Sequence, residues 1–169
     1  MPLTLEKKVD LLWDKLAIGE LMHAFGRALD THDWALYRRC LADTLRVDFS
    51  QLTGFAPVEV PAPAWTRFAK AALTPLQVHH QYTNAAIRVR GDEATGVIYM
   101  VARHRAPDGG DWNTQYGWYD NGFQRDDGEF GWRIRSLTHR YQWLAGRPDL
   151  IDLADPECAA AMRAVFGPA

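Results

Sequence analysis

Leu5, Val9, Leu12, Leu16, Leu21, Phe25 and Leu29 recur along the chain at steps of mostly three or four, the spacing of one apolar stripe on an α-helix. The stripe predicts a helix that ends near Asp30. In "THDWALYRRCLAD", Thr31 or Asp33 can cap a shorter second helix with Trp34, Tyr37 and Leu41 on one face. Leu45, Val47 and Phe49 then alternate with Arg46, Asp48 and Ser50, the period of a half-buried strand. Prolines in "FAPVEVPAPA" cannot donate to a ladder, so a loop is expected there, leading into a third helix from Pro63 to Leu73.

From Val78 onward the pattern becomes that of a sheet. Ile87 and Val89 alternate with Arg88 and Arg90, "RGDE" reads as a tight turn, and Gly96 to His104 supplies a long partner strand. "APDGGD" and "RDDGEFG" mark further turns around strands near Trp112–Arg125 and Trp132–Leu144. A final helix is expected with Asp155 as N-cap and Pro156 in its first turn. Helices followed by a four-stranded meander imply an α+β architecture, in which a curved antiparallel sheet wraps around the N-terminal helices and leaves an internal pocket.

Composition narrows the function. The 169 residues suit one domain, and 47% hydrophobic with 12% aromatic content can bury a core and line a cavity. Net charge is -2 with both signs interspersed, so the basic face that nucleic acid requires is lacking. No apolar run approaches the roughly 18 residues of a membrane span; a soluble, cytoplasmic protein is expected. Cys40 and Cys158 lie far apart without zinc-ligand spacing, so reduced thiols and no structural metal are expected.

The segment "LDTHDWALYRRCLADTLRVDFS", with an acidic residue closing the first helix and "DW" opening the second, resembles scytalone dehydratase of the SnoaL-like, nuclear-transport-factor-two-like superfamily. The likeness extends more weakly through "HHQYTN", "GVIYMVARH" and "DDGEFGWRI", over about four fifths of the chain. It implies a cone-shaped α+β domain spanning the whole sequence, a small hydrophobic cyclic or aromatic substrate, and a homo-oligomer, trimer or dimer. Carried over by position, the acid-base aspartate falls on Asp30, the principal catalytic histidine on His80 and a second pocket histidine on His104. Two tyrosines that polarise the carbonyl in scytalone dehydratase fall on Leu29 and Phe49, and a pocket asparagine falls on Tyr119.

Physical chemistry gives these positions roles. Histidine titrates near neutrality, and a carboxylate on one ring nitrogen fixes its tautomer and leaves the other nitrogen to act as base. Strand alternation places His80, Tyr82 and Asn84 on one side and His79 on the other, while His104 shares the less polar face with Ile98, Met100 and Ala102. Phe49, Tyr82, Asn84, Tyr116 and Tyr119 are the expected substrate contacts, with the three tyrosines as candidate carbonyl donors. The reading favoured is a dehydratase-like lyase with an Asp30–His80 dyad, which calls for no cofactor. Isomerisation or ring closure of a polycyclic ketone, and a non-catalytic binding or assembly module, stand as alternatives.

Overall fold

The computed structural model describes residues 2–167. Helix α1 spans Leu5–Asp30, opened by the Thr4 side chain accepting the Lys7 N–H. Only its second half is core. Ile18, Leu21, Met22, Phe25 and Leu29 are buried, whereas Leu5, Val9, Leu12 and Leu16 stay more than half exposed. The apolar stripe thus runs beyond the sheet that covers it.

The chain then reverses through His32, whose φ of 54° is left-handed, and the Asp33 carboxylate caps α2, Trp34–Arg39, by accepting the Leu36 N–H at 2.9 Å. Strand β1 covers Leu41–Asp48 and starts four residues before the alternation at Leu45. A short helix, α3, follows at Ser50–Thr53. The proline-rich stretch holds a strand, β2, at Val58–Pro61, paired antiparallel with β1. Proline is tolerated because β2 is the sheet edge and Pro61 its last residue. Helix α4, Ala62–Leu73, leads into β3, Gln77–Arg90, β4, Glu93–Arg105, β5, Trp112–Arg125, and β6, Trp132–Gly146, and α5 closes at Pro156–Phe166 behind the Asp155 cap.

The six strands form one curved, unclosed sheet in the order β2-β1-β6-β5-β4-β3, antiparallel except for β1 beside β6. Ile98, Met100, Phe123, Ile134 and Leu137 project from it into a core shared with α1, α2 and α4. Helix α1 approaches β3 closely at Gly26, where an added Cβ would stand 3.0 Å from the Tyr82 ring. Glycine inside a helix costs about 1 kcal/mol relative to alanine. Here it lets the C-terminal turn of α1 come down onto β3.

A bulge breaks the β3–β4 ladder: pairing passes from Thr83↔Tyr99 to Ala86↔Val97, so one extra residue is inserted on β3. Asn84 has a φ of 52° there and is exposed. His80 and Tyr82 face inward before the bulge, and Ile87 and Val89 after it. No helix among the described residues is long and apolar enough to cross a membrane.

Candidate active site

A cavity of about 340 Å³ lies between the concave sheet face and helices α1, α2 and α4. Phe25, Leu29, Phe49, Trp65, Met100 and Leu137 make its wall mostly apolar, and Pro148, Ile151, Leu153 and Met162 close one side. The segment after β6 and α5 therefore borders the opening. Polar atoms enter from His80, His104, Tyr37, Gln115 and Tyr119.

Asp30 ends α1, where the partial negative charge of the helix terminus disfavours a carboxylate. Hydrogen bonds compensate. Its Oδ1 accepts both the backbone N–H of His80 and the His80 ring nitrogen Nδ1, each at 2.8 Å. The His79 ring approaches the other oxygen at 3.4 Å from the solvent side. A carboxylate only accepts, so His80 carries its proton on Nδ1 and presents Nε2 with a free lone pair. The His80 side chain is 7% exposed and lines the cavity, while that of His79 is 59% exposed.

His104 is fixed independently. Its Nδ1 lies 2.7 Å from Oδ1 of Asn113, and the Asn113 amide N–H donates to the Arg147 carbonyl at 2.9 Å. The amide orientation makes Oδ1 the acceptor, so His104 also holds its proton on Nδ1 and turns Nε2 toward the cavity. Burial pushes its pKa down to about 4, against the opposing effect of the Asn113 hydrogen bond and with a smaller push from His80. At neutral pH it is an acceptor, with no proton to give from Nε2. The two imidazoles meet edge to face, centroids 5.9 Å apart.

The expected contacts divide. Phe49 and Tyr119 line the cavity, their rings 6.0 Å apart. Tyr82 stacks near His80, centroids 6.2 Å apart, behind the wall, and its buried hydroxyl has no partner. Asn84 is a correction, since the bulge turns it to solvent. Tyr116 is another: it lies on the opposite sheet face, stacked on half-exposed Trp143 at 4.8 Å. Pattern reading also overlooked Asn113, Gln115, Tyr37 and His139. Of these, His139 is 2% exposed, stacks on Phe49 at 5.1 Å, and is pushed down to about 4 by burial.

Two neutral buried imidazoles make stability depend on acidity. Both ordinary pKa values lie near 6.5 and both folded ones near 4, so the unfolded chain binds more protons in between. Their contribution is complete above about pH 6.5, declines as pH falls, and levels off below 4, by up to about 3 kcal/mol each. Urea midpoints measured from pH 7.5 to 4 should fall through this window, less steeply in His139→Gln. A midpoint unchanged across the interval would reject the neutral pair.

The chain resembles the Kfla4162 protein of Kribbella flavida at 28% identity, covering 78% of this chain and 93% of that one with a TM-score of 0.73. A scytalone dehydratase candidate from Novosphingobium aromaticivorans shares 18% identity over 83% and 91% of the two chains, TM-score 0.70. Hexachlorocyclohexane dehydrochlorinase LinA-type3 from Novosphingobium barchaimii LL02 shares 16% over 83% and 94%, TM-score 0.68. At those last two identities the likeness is one of fold. No curated protein matches the chain. The SnoaL-like domain profile matches residues 10–138, from α1 through the first half of β6, and the chain belongs to the SnoaL-like domain family.

Proposed function

We propose that the chain is a cofactor-independent lyase of the dehydratase kind, acting on a small hydrophobic cyclic ketone that carries a hydroxyl β to its carbonyl. The carrying observation is the 2.8 Å Asp30–His80 hydrogen bond at the wall of an apolar cavity. Nε2 of His80 takes the proton from the carbon next to the carbonyl, and the C–H electron pair becomes the enolate. Asp30 stabilises the imidazolium so formed. When the enolate collapses, its electrons form the carbon–carbon double bond, the C–O bond breaks, and the hydroxyl leaves as water with the proton returned by His80.

The second imidazole has a different part. His104, neutral and with Nε2 free, accepts a hydrogen bond from the substrate hydroxyl and orients the leaving group over His80. Two solved structures of the same fold bear names that denote loss of water or of hydrogen chloride, and both are eliminations.

Asp30→Asn keeps the shape of the side chain and an oxygen that can accept both His80 hydrogen bonds, but removes the negative charge that stabilises the imidazolium. It should lower turnover of cyclic β-hydroxyketones by about 100-fold or more. Assays run in heavy water separate the chemistries, since elimination removes one water of mass and isomerisation does not. Absence of turnover by the wild-type protein across such ketones would reject the lyase.

A further inference from the structure

Tyr37 lies in α2, is 2% exposed and borders the cavity. Its hydroxyl oxygen accepts the indole N–H of Trp65 at 2.9 Å. An indole donates and never accepts, so this bond occupies a lone pair of the phenol and leaves the phenol proton free. Among the described residues Trp65 is the only hydrogen-bond partner of that hydroxyl. An O–H buried without an acceptor is costly, and Tyr37 is one of the residues that line the cavity.

We propose that the Tyr37 hydroxyl, oriented by Trp65, is the donor that holds the substrate's carbonyl oxygen while His80 removes the adjacent proton. The proposal rests on the proton-transfer reading above and supplies the electrophile that it lacks. The positions at which carbonyl-polarising tyrosines would be expected by resemblance are Leu29 and Phe49, both at the cavity wall and both without a hydroxyl. As the C–H pair moves into the ring, negative charge gathers on the carbonyl oxygen. Tyr37 hydrogen-bonds that oxygen without surrendering its proton, since burial holds the phenol above its ordinary pKa. When the C=O re-forms, the charge departs with the hydroxyl, which leaves as water, so Tyr37 ends the cycle unchanged.

Two other tyrosines compete for the part. Tyr82 is not at the cavity wall, and its enclosed hydroxyl has no partner among the described residues. Tyr119 is at the wall, but among the described residues nothing hydrogen-bonds its hydroxyl to orient it. Tyr37 differs in being aimed. Trp65 is itself clamped by Phe49 at 5.2 Å, Phe68 at 5.6 Å and Phe166 edge-on at 6.5 Å, so the phenol oxygen is held and one of its lone pairs occupied before a ligand arrives, which favours electrostatic preorganisation. Trp65 is a positioning residue, acting through Tyr37.

Infrared spectroscopy of bound 1-tetralone labelled with ¹³C at its carbonyl tests this directly. In the wild-type protein the carbonyl stretch should lie below its value in an apolar solvent. Tyr37→Phe should lose most of that displacement and Trp65→Phe part of it, whereas Tyr119→Phe and His80→Ala should keep it. On a cyclic β-hydroxyketone, Tyr37→Phe should lower kcat about 100-fold with little change in KM, the size of loss seen when one oxyanion donor is removed. A displacement that survives in Tyr37→Phe, vanishes in Tyr119→Phe, or is absent from the wild-type complex overturns the assignment. The two readings fail separately. Turnover that depends on His80 but not on Tyr37 removes the electrophile and leaves the lyase, and a Tyr37-dependent carbonyl displacement without turnover does the reverse.

Discussion

His80→Ala should lower the rate of elimination by about 10²–10⁴-fold, the range contributed by one positioned acid-base group. Among the described residues it removes the only cavity imidazole that touches a carboxylate, at 2.8 Å from Asp30. His104 cannot take over, because its Nδ1 meets a neutral amide instead of a carboxylate and burial lowers its basicity to a pKa of about 4. Substrate binding should weaken far less than kcat, since most of the cavity wall is apolar and untouched. The backbone N–H of residue 80 still reaches Asp30, so the junction of α1 with β3 should persist and the folded state should survive. Steady-state rates with a urea melt on the same preparation check both halves. Equal rates in the two proteins, with the variant folded, would remove His80 from the mechanism.

The largest effect on stability is expected far from the cavity. Asp14 on α1 accepts two hydrogen bonds from the Arg125 guanidinium, at 2.8 and 3.0 Å, and a third from the Trp132 indole at 3.1 Å. The guanidinium also lies over the Trp132 ring, 4.5 Å from its centroid. The Arg125 hydrogen bond, chiefly, holds the Asp14 carboxyl below the usual range. Asp14→Ala leaves the Trp132 N–H unpaired in a site 1% exposed and removes the partner of a half-exposed cation. Removing one member of a buried pair costs 3–5 kcal/mol; with Arg125 still able to reach water and Asp92, about 3 kcal/mol is expected. For a chain of this size that lowers the melting temperature by roughly 6–12 °C. Asp14→Asn, which retains an acceptor, should lose less. Calorimetry on both variants checks the order, and an unchanged midpoint in Asp14→Ala would show the three-residue cluster to be without weight.

Much of this fold could be read from residue spacing, and the misses have identifiable causes. The bounds of α1, the Asp33 and Asp155 caps and the turns of the meander followed from short-range chemistry that tertiary contacts did not override. Strand β2 escaped because proline was read as excluding any strand, whereas it excludes only a laddered N–H. The exposed start of α1 escaped because periodicity reports an apolar face and not the extent of whatever covers it.

Resemblance and strand parity point Asp30, His80 and His104 to one place, and the fold brings Asp30 to His80 and His80 to His104. Asn84 and Tyr116 were not placed correctly, and parity held the warning in both cases. His80 and Tyr82 occupy even positions while apolar Ile87 and Val89 occupy odd ones, which requires an inserted residue between them. Likewise Tyr116 and Tyr119 differ by three, so one unbroken strand cannot aim both at the same face. Tyr37 looked like ordinary packing, because only three dimensions reveal the Trp65 indole, 28 residues away, against its hydroxyl.

The irregularity at Asn84 and Ala85 has a bearing on how chains of this kind can diverge in length. Two residues there stand opposite the single Ile98, and the flanking pairs on both sides are already in phase. Loss of one of the two leaves every other cross-strand partner where it was and turns the survivor toward the interior, against Ile98. Removal of a residue between Ile87 and Arg90 instead shifts the residues before the turn by one place and exchanges arginine for aliphatic side chains across the two faces. Single-residue gaps should therefore be admitted at 84–85 and refused only a few positions later.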